Sequence, residues 1–133
     1  MVRDASFRLF PAFAKAAHIV HGRFRLNKGG PHFMETRGLI AHWDEATEQL
    51  NVTSNTQMPH RQKQVLVAAL GLGEPQVKVT NPDVGGGFGP KALFHPEELA
   101  VPTASIILGA PIKWIEDRAE NFIACSGERW QDW

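Results

Sequence analysis

The chain has 133 residues, a length that fits one domain with a core of its own. Its 14 Lys and Arg balance 14 Asp and Glu, which removes the basic footprint of a general nucleic-acid binder. A single cysteine, Cys125, excludes an internal disulfide and a cysteine-only metal cage. The longest apolar stretches, Val65–Leu72 and Leu99–Ala110, are too short for a membrane span. Charges before and after the apolar part of Met1–His18 argue against a secretory signal. A soluble, cytoplasmic domain is the expectation. Nine prolines and twelve glycines are spread as punctuation, with no repeat and no low-complexity segment.

Residues 1–17 read as a lead-in with a short helix around Ala12–Ala17. His18–Leu26 partly alternates and predicts a strand, followed by a turn cluster at Asn27–Pro31. Gly38–Trp43 and Gln49–Thr53 are strand-like, and the acidic turn at Asp44-Glu45 joins them as a hairpin. Pro59 suits the first position of a helix, where its missing N–H costs nothing. Val65, Leu66, Ala69 and Leu70 give that helix an apolar stripe, and Gly71 or Gly73 ends it. Gln76–Thr80 predicts a short strand, followed by a loop over Asn81–Lys91.

A second helix starts at Pro96, with Glu97 and Glu98 complementing its positive end or simply solvated, and stops at Gly109. Pro102 should kink or shorten it. Pro111–Ile115 reads as another strand, and Asp117 with Glu120 has capping-box spacing for a last short helix. An early hairpin followed by alternating helices and strands predicts an α+β fold. Its form is a two-layer sandwich with a mixed β-sheet packed against helices.

Asp83-Val-Gly-Gly-Gly-Phe-Gly-Pro-Lys91 places four glycines in five positions around one Phe. Bare backbone allows close approach of a ligand, and successive N–H groups can form an anion-binding concavity. A tight or flexible turn is the plainer reading. A P-loop needs Gly before Lys, but Pro90 stands there, and Ala92 replaces Ser or Thr. Gly87–Ala92 fits the loose dinucleotide pattern, yet Pro90 and Pro96 interrupt the required helix. Both readings fail. Thr53–His60 joins a strand to a helix, where the neutral amide Gln57 can donate and accept; Thr56 or Asn55 as an ordinary helix cap is the alternative.

The six histidines show no metal spacing. His18 and His21 fall on opposite faces of the expected strand, and His32 with Glu35 lacks a second His. Cys125 reads as a small, partly buried residue. Trp130 and Trp133, expected to be exposed, suggest a chain that continues or docks.

Several segments run in one order over residues 18 to 125. They are His21-Gly-Arg-Phe24, His32-Phe-Met-Glu-Thr-Arg-Gly38, Ser54-Asn-Thr-Gln-Met-Pro-His60 and Leu70-Gly-Leu72. Pro82–Lys91, Pro96-Glu-Glu98 and Pro111-Ile-Lys-Trp-Ile-Glu-Asp-Arg118 follow. Together they resemble the molybdenum-cofactor-binding large subunit of the xanthine dehydrogenase, aldehyde oxidase and carbon monoxide dehydrogenase family. The resemblance makes residues 18–133 part of a molybdenum-cofactor-binding domain. It implies an oxidoreductase that oxidises an aldehyde, carbon monoxide or a related small substrate, with water as oxygen source.

The implied cofactor is a molybdenum-pterin, its cytosine dinucleotide form included. Iron–sulfur clusters and FAD would sit on partner subunits or domains. By the same resemblance, Gln57 matches the glutamine that hydrogen-bonds an oxygen ligand of molybdenum. Gly86, Gly87, Phe88 and Gly89 match the loop whose backbone binds the cofactor beside the metal. Gln57 and Phe88 would thus contact ligands of molybdenum rather than the metal.

Ala92 stands where xanthine-oxidising members carry a substrate-binding glutamate, which argues against purines. Pro90 is closer to bacterial aldehyde or carbon monoxide types. The family's catalytic glutamate lies far downstream, so no catalytic residue is expected in this stretch. The chain is therefore read as a fragment that needs the remainder of the large subunit and does not turn over substrate by itself. The alternatives are a non-catalytic remnant or scaffold, with the loop packed shut and Gln57 turned away, and a nucleotide-binding module using the same loop.

Overall fold

The computed structural model describes residues 11–125 and 129–132. The chain divides into two units, one of Met1–Lys28 with Trp130–Trp133 and one of Gly29–Arg129. In the first, residues 11–14 form one helical turn, which overlaps the start of the lead-in helix expected around Ala12–Ala17. Strands β1 (Arg25–Gly29) and β6 (Arg129–Asp132) pair as a two-stranded sheet. The expected strand over His18–Leu26 is displaced: residues 18–24 carry no regular structure, and β1 runs into the predicted turn. A strand forms where a partner supplies its ladder, and β6, more than 90 residues away, was not foreseen. The opposed faces expected of His18 and His21 lapse with that strand. The side chains of Trp130 and Trp133 lie outside the described residues.

The second unit is built on β2 (Gly38–Asp44) and β3 (Gln49–Ser54), an antiparallel hairpin pairing Leu39 with Ser54 and Asp44 with Gln49. Helix α1 (Pro59–Leu70) returns the chain so that β4 (Val77–Thr80) lies parallel to β3. Helix α2 (Glu97–Leu108) then delivers β5 (Ile112–Ile115) antiparallel to the other side of β2. The sheet order is β4-β3-β2-β5, and helix α3 (Arg118–Ala124) follows. A mixed sheet with α1 and α2 packed on it is the α+β sandwich the patterning predicts.

Alternation along the strands decides which side is covered. Leu39, Ala41, Leu50, Val52 and Val77 point to the helices and bury against Leu66 of α1 and Val101 of α2. Ile40, Lys113 and Ile115 point the other way and are exposed. Burying each large side chain contributes about 1.5–3 kcal/mol, so this single layer carries most of the unit's stability.

The punctuation behaves largely as read. Pro59 opens α1, and Gly71 closes it in the left-handed conformation at φ 66°. A Cβ at Gly71 would meet no atom within 4 Å, so its cost is backbone strain alone. Gly71→Ala is expected to lose about 1 kcal/mol, seen as a lower urea midpoint at unchanged slope. Asp117 Oδ1 accepts from Glu120 N at 2.8 Å and Glu120 Oε2 from Asp117 N at 2.9 Å, the predicted capping box.

Two expectations need correction. Pro102 does not shorten α2, which is continuous through it. The ring is buried, and Thr103 Oγ1 donates to Leu99 O at 2.8 Å in the turn the proline disturbs. Glu98 is not solvated. Its carboxylate accepts from Gln62 Nε2 at 2.9 Å and His95 N at 2.7 Å, and burial raises its pKa.

Candidate functional site

The segment between β3 and α1 reaches the end of the sheet beside the glycine loop. Asn55 accepts from Gly38 N and donates to Thr36 O, so it ties the end of β3 to the start of β2 rather than capping α1. Thr56 Oγ1 donates to Lys91 O at 3.0 Å, and Gln57 N donates to the same oxygen at 2.9 Å. Met58, at the cap position of α1, makes no side-chain cap bond. The capping role considered for Asn55 is therefore absent. Thr56 keeps part of it: its Oγ1 accepts from Met58 N at 3.1 Å at the start of α1 while it ties the loop end at Lys91.

The loop itself is clasped from below. Glu35 Oε2 accepts from Gly85 N at 2.8 Å and from Lys91 Nζ at 2.9 Å, while Glu35 N donates to Gly85 O at 3.3 Å. Lys91 is only 2% exposed, with its ammonium 4.7 Å over the Phe33 ring. The hydrogen bond from Lys91 outweighs burial and holds the Glu35 carboxyl below the usual range. His95 Nε2 lies 3.0 Å from Pro90 O and supports the far side.

Within this frame the backbone is bent as only glycine readily permits. Gly86 and Gly89 take φ of 91° and 110°, and Phe88 is itself left-handed at φ 48°. Its ring is 61% exposed, held outward by that conformation. Gln57 lies against the loop: its Oε1 accepts from Gly89 N at 3.0 Å. A Cβ at Gly87 would sit 2.5 Å from Gln57 Cδ, so the amide packs on bare backbone.

The N–H groups can be accounted for one by one. Gly85 N bonds Glu35, Gly86 N bonds Val84 O, and Gly89 N bonds Gln57. Among the described residues, Gly87 N, Phe88 N and Gln57 Nε2 donate to no protein acceptor. The successive donors expected over the whole loop thus narrow to two adjacent backbone N–H groups beside one neutral amide. Such a donor set suits oxygen acceptors of a ligand laid against the loop.

The structure brings Gln57, Gly86, Gly87, Phe88 and Gly89 into one cluster. Sequence reasoning missed Glu35 and Lys91, which organise it. Both lie in segments that carry the family resemblance, but by residue type Glu35 reads as half of a metal pair and Lys91 as a failed P-loop lysine. Their approach, 56 residues apart, has no local signal. Cys125 is half-buried and accepts from Asn121 Nδ2 at 3.0 Å; burial pushes its thiol pKa up. Among the described residues, no three His, Cys, Asp or Glu side chains gather as a metal site, and no helix is long and apolar enough to cross a membrane.

Comparison with known proteins matches residues 9–132 to the molybdopterin cofactor-binding domain. The chain belongs to that family. It is 43% identical over 115 residues to the nicotine 6-hydroxylase large subunit of Paenarthrobacter nicotinovorans, covering 86% of this chain and 14% of that protein. It is 37% identical to the carbon monoxide dehydrogenase large chain of Hydrogenophaga pseudoflava, covering 82% of this chain and 14% of that one. Among solved structures, quinoline 2-oxidoreductase from Pseudomonas putida 86 superposes with a TM-score of 0.70 at 45% identity, over 86% of this chain and 14% of that one. The chain therefore spans about a seventh of the length of the relatives it matches. The glycine loop and Gln57 lie inside the matched region of a molybdopterin cofactor-binding domain.

Proposed function

We propose that the loop Gly85–Gly89 and Gln57 hold one edge of a molybdenum-pterin cofactor in the large subunit of a molybdenum hydroxylase. The observation that carries this reading is the Gln57 amide, held over Gly87 by the Gly89 N–H with its Nε2 left to donate. Gly87 N and Phe88 N would donate to oxygen acceptors of the cofactor beside it. These donors are neutral and fixed before binding, so they act without reorganising. The exposed Phe88 ring would wall the substrate side. When bound, the cofactor supplies a two-electron oxidation of the substrate with oxygen derived from water.

The substrate in this reading is an aldehyde, carbon monoxide or a related small molecule, the nitrogen heterocycles of the nicotine and quinoline relatives among them. Ala92, in place of the glutamate of purine-oxidising members, supports a non-purine substrate. The remainder of the large subunit and iron–sulfur and FAD-bearing subunits complete the electron path, in a cytoplasmic enzyme. A scaffold that lost its chemistry would have the loop packed shut and Gln57 turned away; Gln57 over the loop and an exposed Phe88 favour the cofactor reading.

The test is anaerobic equilibrium dialysis of the 133-residue chain against the molybdenum-pterin cytosine dinucleotide released from a holoenzyme, read by bound molybdenum and pterin fluorescence. Saturable binding that weakens about tenfold in Gln57→Met is expected, the worth of one hydrogen bond of roughly 1–1.5 kcal/mol. Absence of saturable binding would sink the proposal.

A further inference from the structure

We infer that Glu35 and Lys91 are positioning residues: one carboxylate oxygen fastens both ends of the glycine loop and so presets the Gly87 and Phe88 N–H groups. The inference rests on reading that loop as the cofactor cradle. Glu35 Oε2 takes Gly85 N at 2.8 Å at the front of the loop and Lys91 Nζ at 2.9 Å at its end. The donors in question lie between these two points.

Three further facts give the pair this role. A Cβ at Gly85 would stand 2.6 Å from Glu35 Cβ, so backbone and carboxylate stem are in direct contact that no side chain could enter. The Lys91 side chain is 1% exposed, and its ammonium donates only to Glu35 among the described residues while resting on the Phe33 ring. It is committed to the clasp and does not reach out as a phosphate-binding lysine does. Lys91 O, in turn, accepts from both Thr56 Oγ1 and Gln57 N, so the same residue places Gln57. Lys91 is buried but the Glu35 side chain is 41% exposed, so the pair adds little to stability; what it specifies is geometry. A glycine-rich loop has the most freedom to lose and gains most from such a tie.

Amide hydrogen exchange on the cofactor-free chain tests the clasp directly. Gly86 N and Gly89 N are the probes, because their acceptors, Val84 O and Gln57 Oε1, are untouched by the substitutions. Glu35→Gln and Lys91→Met are expected to speed exchange at both probes about tenfold, with amides of the β2–β3 hairpin unchanged. The double variant, which strands no buried charge, should match the single ones, since the pair acts as one unit. Unchanged probes would overturn the inference, as would equal acceleration across the hairpin, which marks a merely structural pair. A second arm measures affinity for the same molybdenum-pterin. A loss of about tenfold in the double variant supports the positioning role, and an unchanged affinity beside faster loop exchange overturns it. If the unaltered chain binds no cofactor, the proposed function fails, and the inference that depends on it fails with it, even where exchange shows the clasp ordering the loop.

Discussion

Replacing Arg37 by methionine is expected to cost the fold about 3–5 kcal/mol, the penalty for stranding a buried carboxylate. Glu116 is 1% exposed and is held by Arg37, just before β2, and by Asn121 of α3. Arg37 Nε and Nη2 donate to Glu116 Oε1 at 3.0 and 2.6 Å, Arg37 N donates to Oε2 at 3.1 Å, and Asn121 Nδ2 adds a bond at 2.8 Å. Burial pushes the Glu116 carboxyl up, but the bonds from Arg37 and Asn121 outweigh it and hold the pKa below the ordinary value.

The pH dependence follows with a definite sign. In the unaltered chain the lowered folded pKa makes Glu116 a stabilising group above its unfolded value of about 4.3, and this contribution is lost as pH falls through the folded value. Without Arg37, burial dominates and the folded pKa rises. Stability is then fully present below about 4.3 and is lost as pH climbs through the raised value. The deficit between the two proteins should therefore be larger at pH 7 than at pH 4, measured as urea midpoints. A deficit that shrinks toward neutrality contradicts this account.

Gly87→Ala should leave the fold nearly intact and remove the proposed site. The new Cβ would meet Gln57 Cδ at 2.5 Å and Oε1 at 2.6 Å. Gln57 is exposed, so its side chain can swing into solvent at a cost of about 1 kcal/mol for the lost bond to Gly89. Cofactor binding loses both the Gln57 donor and close approach to the loop. Two neutral hydrogen bonds are worth about 2–3 kcal/mol, so affinity should fall roughly 30- to 150-fold. Gly71→Ala is the matched control: it strains a helix end and should lower stability without changing affinity. Equal affinity in Gly87→Ala and the unaltered chain would show that the ligand does not lie against this loop.

The candidate site was legible in its parts. Gln57 stood out as a neutral amide at a strand-to-helix junction, and the run Gly85–Gly89 as backbone open to a ligand. Their meeting was not legible from local pattern, because it depends on β3 and β4 lying parallel and adjacent. The clasp beneath them was missed altogether. Glu35 and Lys91 are ordinary charged residues to any sequence rule, and burial of a lysine is visible only once Phe33 and the loop close over it. Glu98 was misread for the same reason: an acidic residue in the first turn of a helix suits the helix dipole, but here Gln62 and His95 enclose it.

By itself the sequence determined what depends on near neighbours: the β2–β3 hairpin through alternation, the ends of α1 and α2 through Pro59, Gly71 and Gly109, and the box that starts α3. These are local contests between backbone conformations, settled within a few residues. Tertiary structure alone decided the sheet order, the displaced β1, and the joining of Glu35 to Lys91 and Arg37 to Glu116. The contacts among these span 27 to more than 90 residues. They form because burial makes an unpaired strand edge or charge costly, and only the folded chain determines which partner is within reach.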